Sequence, residues 1–233
     1  MNELLWFGMM VSSFFMVVAA YRLFGISGLY GWIALSVIVA NIQVLKTVEL
    51  FSFTTTLGNI VYASSFLATD ILSENYGKET ARKGVFIGFF TLIAATLLMN
   101  AALFFRPAPS DFAQEHLKAI FGIMPRIAGA SLLAYGISQL HDVWAYHFWK
   151  TKFPKTRAIW LRNNLSTMVS QLIDTLVFTF AACLGIFPSE TVIQILITTY
   201  VMKWLVAVLD TPFIYWGSRI KIKIDETRFD KPE

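Results

Sequence analysis

The sequence predicts an all-α integral membrane protein, and three observations support that class. The residue types Ala, Val, Ile, Leu, Met, Phe, Trp, Tyr and Cys make up 56% of the 233 residues. Charged residues make up only 15%, whereas soluble domains carry about 25%. Long apolar runs recur without the strict alternation of β-barrel strands. The composition excludes soluble enzymes, nucleic-acid-binding modules and disordered chains, because it lacks the charged surface that they need.

Seven apolar runs are long enough to cross a bilayer as helices. A hydrocarbon core about 30 Å thick requires roughly 20 apolar residues per helix. The first run has neither a preceding basic region nor a clear cleavage site, so we interpret it as a retained helix and not as a signal peptide. The predicted helices are Leu4–Phe24, Gly28–Leu45, Thr54–Tyr76, Ala81–Phe105, Pro125–Phe148, Ala158–Gly185 and Thr191–Ser218.

The distribution of Lys and Arg predicts the orientation of these helices. Cations concentrate in the turn after the third helix, in the loop after the fifth and in the tail from Arg219. In the alternate loops they are few or offset by acids, and Phe187–Glu190 has none. The positive-inside rule therefore places the C-terminus in the cytoplasm, and seven spans place the N-terminus outside.

Ionisable side chains enter four of the predicted helices, where they are costly unless they face a cavity or the bundle interior. Asp70 and Glu74 are four residues apart and share one face of the third helix. The fifth and sixth helices each carry a polar stripe at helical spacing that ends in Asp142 and Asp174. Lys203 enters the seventh helix. These side chains are candidates for a site inside the bundle.

Structural roles compete with ligand binding at these positions. Small hydroxyls in the stripes are typical of helix packing, because they bond to their own helix backbone. A carboxylate favours a ligand or coupling role, because an unpaired one at mid-depth costs at least ~2.5–3.5 kcal/mol. For Asp70 and Glu74, a solvated face or an ion pair near the helix end competes equally. His141 and His147 are more typical of structural positions.

The balance of buried charge indicates protonated carboxyl groups or a ligand rich in N–H donors. A flat heterocycle suits carboxylates and amides in an aromatic, apolar pocket. The chain has no Walker loop, HExxH, GxSxG or metal-spaced His cluster, so we predict a protein that is not an enzyme and has neither cofactor nor metal. One clear buried cation, Lys203, faces five acids: Asp70, Glu74, Asp142, Asp174 and Asp210.

Four stretches together resemble the queuosine precursor transporter family, also called the vitamin uptake transporter family. The segment Phe66–Gly77, which reads FLATDILSENYG, resembles the family's signature. Three further segments match its other polar patches in order and spacing: Ser138–Asp142, Asn163–Asp174 and Tyr200–Lys203.

The resemblance implies a six-helix transporter core at residues 28–218, related to the substrate-binding components of energy-coupling-factor transporters. This sequence departs from that core pattern at both ends: we expect residues 1–27 to form an additional N-terminal transmembrane helix and residues 219–233 a charged cytoplasmic tail. The implied function is import, across the inner membrane, of 7-deazaguanine precursors of queuosine for tRNA modification. These are compounds such as 7-cyano-7-deazaguanine or its aminomethyl relative. The implied substrate site is Asn41, Asp70, Glu74, Gln139, Asp142, Asn163, Gln171, Asp174 and Lys203.

Two alternatives stay open: uptake of another vitamin-like or nucleobase compound, and an intramembrane enzyme that uses paired carboxylates. We expect a small-molecule substrate and the lipid bilayer as partners, and no nucleic acid; a homo-oligomer stays open. The first core helix has few small residues, namely Gly31, Ala34 and Ala40. Their sparseness favours a transporter that works without a shared ATPase module, because small residues permit close helix approach. The excess of acids favours the cationic aminomethyl precursor.

Overall fold

The computed structural model describes residues 1–51, 53–183 and 189–220. Within those residues the chain is a bundle of helices with one short antiparallel hairpin, which confirms the predicted all-α class. The hairpin strands are β1 (Thr47–Leu50) and β2 (Phe53–Thr56). The helices are α1 (Asn2–Gln43), α2 (Gly58–Tyr76), α3 (Lys78–Ala102), α4 (Gln114–Phe121), α5 (Met124–Lys152), α6 (Ile159–Cys183), α7 (Ser189–Leu209) and α8 (Thr211–Arg219), with a 3-10 turn at Thr156–Ala158.

Helix α1 folds back on itself at Gly25. A straight helix of its 42 residues would be about 63 Å long, twice the hydrocarbon thickness. Gly25 has φ 63° and ψ −141°, a conformation that only glycine adopts readily. Beyond this break, a Cβ on Gly28 would lie 2.1 Å from the carbonyl oxygen of Ala20, so the two arms are in close contact. The arms correspond to the first two predicted helices.

The two ends of α1 meet the hairpin on the same side of the bundle. Asn2 donates to the carbonyl oxygen of Glu49 at 3.1 Å, and the amide of Phe51 donates to Glu3 at 3.3 Å. We call this side, which also carries the start of α2, the hairpin end. The opposite side carries the Gly25 turn, the α2–α3 junction and the α5–α6 loop, and we call it the basic end. Its cations include Arg22, Lys78, Arg82, Lys83, Lys150, Lys152, Lys155 and Arg157.

Helix α2 runs through the middle of the bundle. Of residues 58–73, all except Tyr62 are buried, and α2 packs against α1, α3, α5, α7 and α8. Length and hydropathy select five candidate membrane spans among the described residues: Asn2–Gln43, Lys78–Ala102, Gln114–Lys152, Thr156–Ala182 and Leu196–Arg219. Helix α2 is not one of them, because an enclosed helix can carry polar residues. The count of seven spans therefore stays a prediction.

The predicted boundaries are wrong in three places. The third predicted helix begins at Thr54, but residues 53–56 pair with β1 and the helix begins at Gly58. The seventh predicted helix breaks at Asp210, where Pro212 occupies the first turn of α8, a position at which its missing N–H costs nothing. Helix α4 lies in a predicted loop. The predicted end of the sixth helix at Gly185 and tail residues 221–233 fall outside the described residues.

Candidate functional site

A half-enclosed cavity lies near the hairpin end, between α1, α2, α3, α5, α6 and α7. It contains about 480 Å³ of empty space, a figure that includes its open mouth. Its apolar wall includes Val37, Ala40, Leu92 and Phe178. Its polar lining consists of Asn41, Asn59, Tyr62, Ser131, Tyr135, Asp174 and Lys203.

A buried ion pair forms one side of the cavity. Lys203 Nζ binds Asp174 Oδ2, and both side chains are almost completely buried. The hydroxyls of Tyr62 and Ser138 donate to Asp174 Oδ1 at 2.7 and 3.0 Å. Lys203 also lies 5.3 Å from the centroid of the Tyr62 ring. Asp174 thus has a cation and two hydroxyl donors, so the charge that it brings to the cavity is neutralised by the protein itself.

Three polar atoms of the cavity lining have no hydrogen-bond partner within the described part of the chain. Asn41 Nδ2 donates to the carbonyl of Val37 at 2.8 Å, which leaves Asn41 Oδ1 unpartnered. Asn59 Nδ2 and the hydroxyl of Tyr135 are the other two. The Tyr135 ring packs edge-on against Tyr62, with 5.8 Å between centroids. Three residues that line the cavity therefore each carry one buried polar atom without a partner: an amide oxygen, an amide nitrogen and a hydroxyl.

A second polar region lies deeper, towards the basic end. We call Asp70, Asp142 and Asp210 the acidic cluster; each is at most 2% exposed. Asp70 adjoins Asp142, and Asp210 is close enough to both to add to the negative potential there. Asn163 donates to Asp210 Oδ1 at 2.7 Å. The hydroxyls of Ser166, Thr167 and Ser170 lie near Asp142. By distance and angle, neither oxygen of Asp142, nor Oδ2 of Asp70 or of Asp210, makes a hydrogen bond within residues 1–51, 53–183 and 189–220.

Two glutamines lie between the cavity and the acidic cluster along their helices. Gln139 follows Ser138 on α5 and precedes Asp142 by one turn, and its Nε2 donates to Thr69 at 2.7 Å. Gln171 precedes Asp174 by one turn on α6. The Gln139 Oε1 and both polar atoms of Gln171 are buried, with no hydrogen-bond partner in the described chain. Unsatisfied polar atoms thus occur on both α5 and α6 between residues of the two regions.

The basic end is closed by an ion-pair cluster around Glu74. Arg162, which is fully buried, contacts Glu74 Oε1 at 2.9 Å, and Lys150 lies 3.7 Å from Glu74 Oε2. Tyr146 donates to the same carboxylate at 3.3 Å. Arg162 also donates to the carbonyl of Phe153 at 2.9 Å. Of the two interpretations open for Glu74, these contacts favour the ion pair near a helix end.

The nine predicted site residues do not form one pocket. Asn41, Asp174 and Lys203 line the cavity. Asp70, Gln139, Asp142, Asn163 and Gln171 lie deeper and are all buried, and Glu74 belongs to the ion-pair cluster. His141 contacts Ser170 at 2.8 Å, in keeping with a structural position.

The pattern of the sequence does not single out three residues that matter here: Asn59, Tyr62 and Arg162. The count of one clear buried cation is wrong, because Arg162 is a second. The feature of the sequence that indicates its burial is its position directly before Asn163, at the start of a polar stripe. No group of three or more His, Cys, Asp or Glu in the described residues could hold a metal ion.

Comparisons with known proteins identify relatives over most of the chain. The family described as "Putative vitamin uptake transporter" matches residues 56–217. The chain is 46% identical over 219 residues to the "Probable queuosine precursor transporter" of Bacillus subtilis (strain 168), covering 94% of this chain and 96% of that protein. It is 30% identical to the "Queuosine precursor transporter" of Escherichia coli (strain K12), covering 73% of this chain and 75% of that one.

A third relative, the "Probable queuosine precursor transporter" of Haemophilus influenzae (strain ATCC 51907 / DSM 11121 / KW20 / Rd), is 27% identical over 74% of this chain and 72% of its own. No solved structure matches this chain. The match of the family and the near-complete alignment with the Bacillus protein cover the helices that build the cavity. The chain therefore belongs to the vitamin uptake transporter family.

Proposed function

We propose that this protein imports queuosine precursors across the inner membrane for tRNA modification, and that the 7-deazaguanine ring binds in the cavity near the hairpin end. The relatives named queuosine precursor transporters support the class of cargo. One observation carries the choice of site: Asn41 Oδ1, Asn59 Nδ2 and the Tyr135 hydroxyl are unpartnered in one aromatic-lined cavity.

The chemistry of these three groups complements the edge of a guanine-like base. Such an edge places N–H donors beside a carbonyl acceptor, and amide side chains pair with edges of this kind. Asn41 Oδ1 accepts from a ring N–H, and Asn59 Nδ2 donates to the carbonyl. The rings of Tyr62 and Tyr135 contact the faces of the base. Buried polar groups left unpaired reject a ligand that lacks the matching atoms.

The charge of the cavity favours the neutral cyano precursor over the cationic aminomethyl one. Lys203 neutralises Asp174, so the cavity has no free carboxylate to pair with an ammonium group. This reverses the preference inferred from the excess of acids, because the acids without a cation lie deeper, in the acidic cluster. In this proposal Asp174 and Lys203 hold the cavity wall in place, and Asn41 and Asn59 read the base.

The proposed orientation places the basic end in the cytoplasm, by the positive-inside rule. The cavity then opens towards the outside, and the Glu74 ion-pair cluster closes the cytoplasmic end. Transport proceeds by rocking of the helices around the bound ring. The protein works without an ATPase module and without chemical change of its cargo. Kinship with energy-coupling-factor components stays a prediction.

Uptake of labelled 7-cyano-7-deazaguanine tests the proposal in cells that lack their own importer and the pathway for making the precursor. We expect uptake and queuosine in tRNA with the wild type, and about a tenfold loss with Asn41→Ala, since one lost hydrogen bond in a dry site costs about 1.4 kcal/mol. Asn100→Ala is the matched control, because Asn100 also donates to the carbonyl four residues before it, that of Thr96.

Two outcomes contradict the proposal. One is the absence of uptake by well-expressed wild-type protein. The other is thermal stabilisation by a different vitamin or nucleobase with no response to any deazaguanine, since a true ligand stabilises the folded state by mass action. Recovery of chemically changed cargo would indicate the enzyme alternative.

A further inference from the structure

The acidic cluster is separate from the cavity and lacks a balancing cation. Lys203 is paired with Asp174, and Arg162 and Lys150 are paired with Glu74. These are the buried or half-buried ion pairs that the described residues form.

The groups that face the cluster come from four elements. Helix α2 contributes Asp70 and Glu74, and α5 contributes Asp142, Tyr146 and Lys150. Helix α6 contributes Arg162 and Asn163, and the α7–α8 junction contributes Asp210. Glu74 offsets only one of the two positive charges of Arg162 and Lys150. With every group ionised, one positive charge remains against the three carboxylates Asp70, Asp142 and Asp210, so the net charge of the region stays negative.

A second observation, independent of the acids, indicates that something binds at this depth. Gln139 is fully buried and reaches Thr69, the neighbour of Asp70, through Nε2. Its Oε1 has no partner in the described chain, and Asp142 follows one turn later on α5. A buried acceptor without a partner needs a hydrogen-bond donor, and a carboxyl group becomes such a donor when it is protonated.

The helix is also perturbed here. Asp210 stands between α7 and α8 with a near-helical backbone, at φ −79° and ψ −19°, and Pro212 in the next turn removes one backbone N–H donor. Breaks within membrane-spanning helices mark the sites of coupling ions and substrates in transporters, because they free backbone groups and permit the two halves to move separately. Asp210 is therefore an ionisable group at a joint between two elements.

We propose that the acidic cluster binds the proton that drives transport, so that import of the precursor is coupled to proton entry; this rests on the proposed function. Three adjacent carboxylates in a low-dielectric interior are not all ionised together. In each cycle one cluster carboxylate takes up a proton from outside, –COO⁻ + H⁺ → –COOH, and donates its hydrogen bond to a neighbouring acceptor. It releases the same proton to the cytoplasm as the cargo leaves.

Protein reconstituted in liposomes tests the coupling, with labelled 7-cyano-7-deazaguanine and the membrane potential clamped at zero. With the outside one pH unit more acidic, we expect wild-type accumulation approaching about tenfold for one proton per cargo molecule. A protonophore abolishes it. Exchange of labelled for unlabelled cargo at equal pH needs no net proton movement and reports binding and transport alone.

Asp142→Asn removes a proton site while keeping the shape of the side chain. We expect loss of pH-driven accumulation with exchange kept within about threefold, because the cavity residues are unchanged. Asp210→Asn gives the same test if Asp142→Asn does not fold. Glu79→Gln is the control, since Glu79 is an exposed carboxylate in a surface pair with Arg82.

The outcomes separate the two proposals. Wild-type exchange with accumulation that ignores both the pH gradient and the protonophore overturns proton coupling and leaves the proposed function standing. Gradient-driven accumulation in both aspartate variants overturns the role of the cluster. Absence of exchange in folded wild-type protein overturns the proposed function itself.

Discussion

Replacement of Lys203 by Met tests whether the buried pair with Asp174 holds the cavity together. Removing one member of a buried ion pair costs about 3–5 kcal/mol, because the other charge stays buried without its partner. In Lys203→Met, Asp174 keeps the hydroxyls of Tyr62 and Ser138 as donors to Oδ1. We therefore expect the lower part of that range, a loss of about 3 kcal/mol in the free energy of unfolding.

A double-mutant cycle in detergent micelles, followed by reversible unfolding in denaturant, measures this loss. Combining Lys203→Met with Asp174→Asn removes the stranded charge, so we expect recovery of at least about 2 kcal/mol relative to Lys203→Met alone. A loss below about 1 kcal/mol for Lys203→Met, a value typical of an exposed pair, would refute the reasoning. So would a double variant no more stable than Lys203→Met.

Three further variants probe other features of the fold. Gly25→Ala should lower the free energy of unfolding by about 1–3 kcal/mol, because Gly25 has a positive φ. Gly8→Ala is the control: its new Cβ would meet no atom within 4 Å, so it should not lower the free energy of unfolding. Equal denaturation midpoints for the two variants would contradict this prediction. Gly88→Ala places a Cβ 2.7 Å from the Tyr135 hydroxyl, so the KM for cargo should rise; an unchanged KM would remove Tyr135 from the site. Arg162→Met strands the Glu74 carboxylate, with Lys150 in partial compensation, and should cost about 3 kcal/mol in the same unfolding assay; a change within error would mean that the pair is not formed.

The helical periodicity of the sequence predicts which faces of α5 and α6 turn inward. Tyr135, Ser138 and Asp142 are spaced on one face of α5, and all three are buried. Asp174 lies on the corresponding stripe of α6 and is buried too. Such inference works because a charged side chain facing lipid costs more than one facing the bundle.

The pairing of these side chains does not follow from spacing. Whether Lys203 meets Asp174 or Asp142 depends on how α5 and α6 pack around α7, and helix periodicity gives only the face of each helix. The depth of Arg162 has the same cause, since a cation at the start of a helix can extend to the surface or turn inward. The nine predicted site residues therefore divide among three regions of the bundle, and their role in binding stays a prediction.

Local sequence features indicate both the helix boundary at Asp210 and the hairpin, but a hydropathy average over a long window does not detect them. The dipeptide Thr211–Pro212 is typical of a helix start, yet the apolar run continues across it. Thr47–Leu50 and Phe53–Thr56 are rich in β-branched and aromatic residues, but such short strands lie beside long apolar helices and merge with them in a hydropathy reading.

The enclosed position of α2 has a consequence for how the chain is made. A segment that carries Asn59, Thr69, Asp70 and Ser73 gains little by dissolving in lipid as it leaves the ribosome, because every exposed polar group is penalised there. Its partners α5, α7 and α8 are synthesised later. We therefore expect the newly made α2 segment to pack against α1, away from the lipid acyl chains, until the later helices are synthesised and surround it.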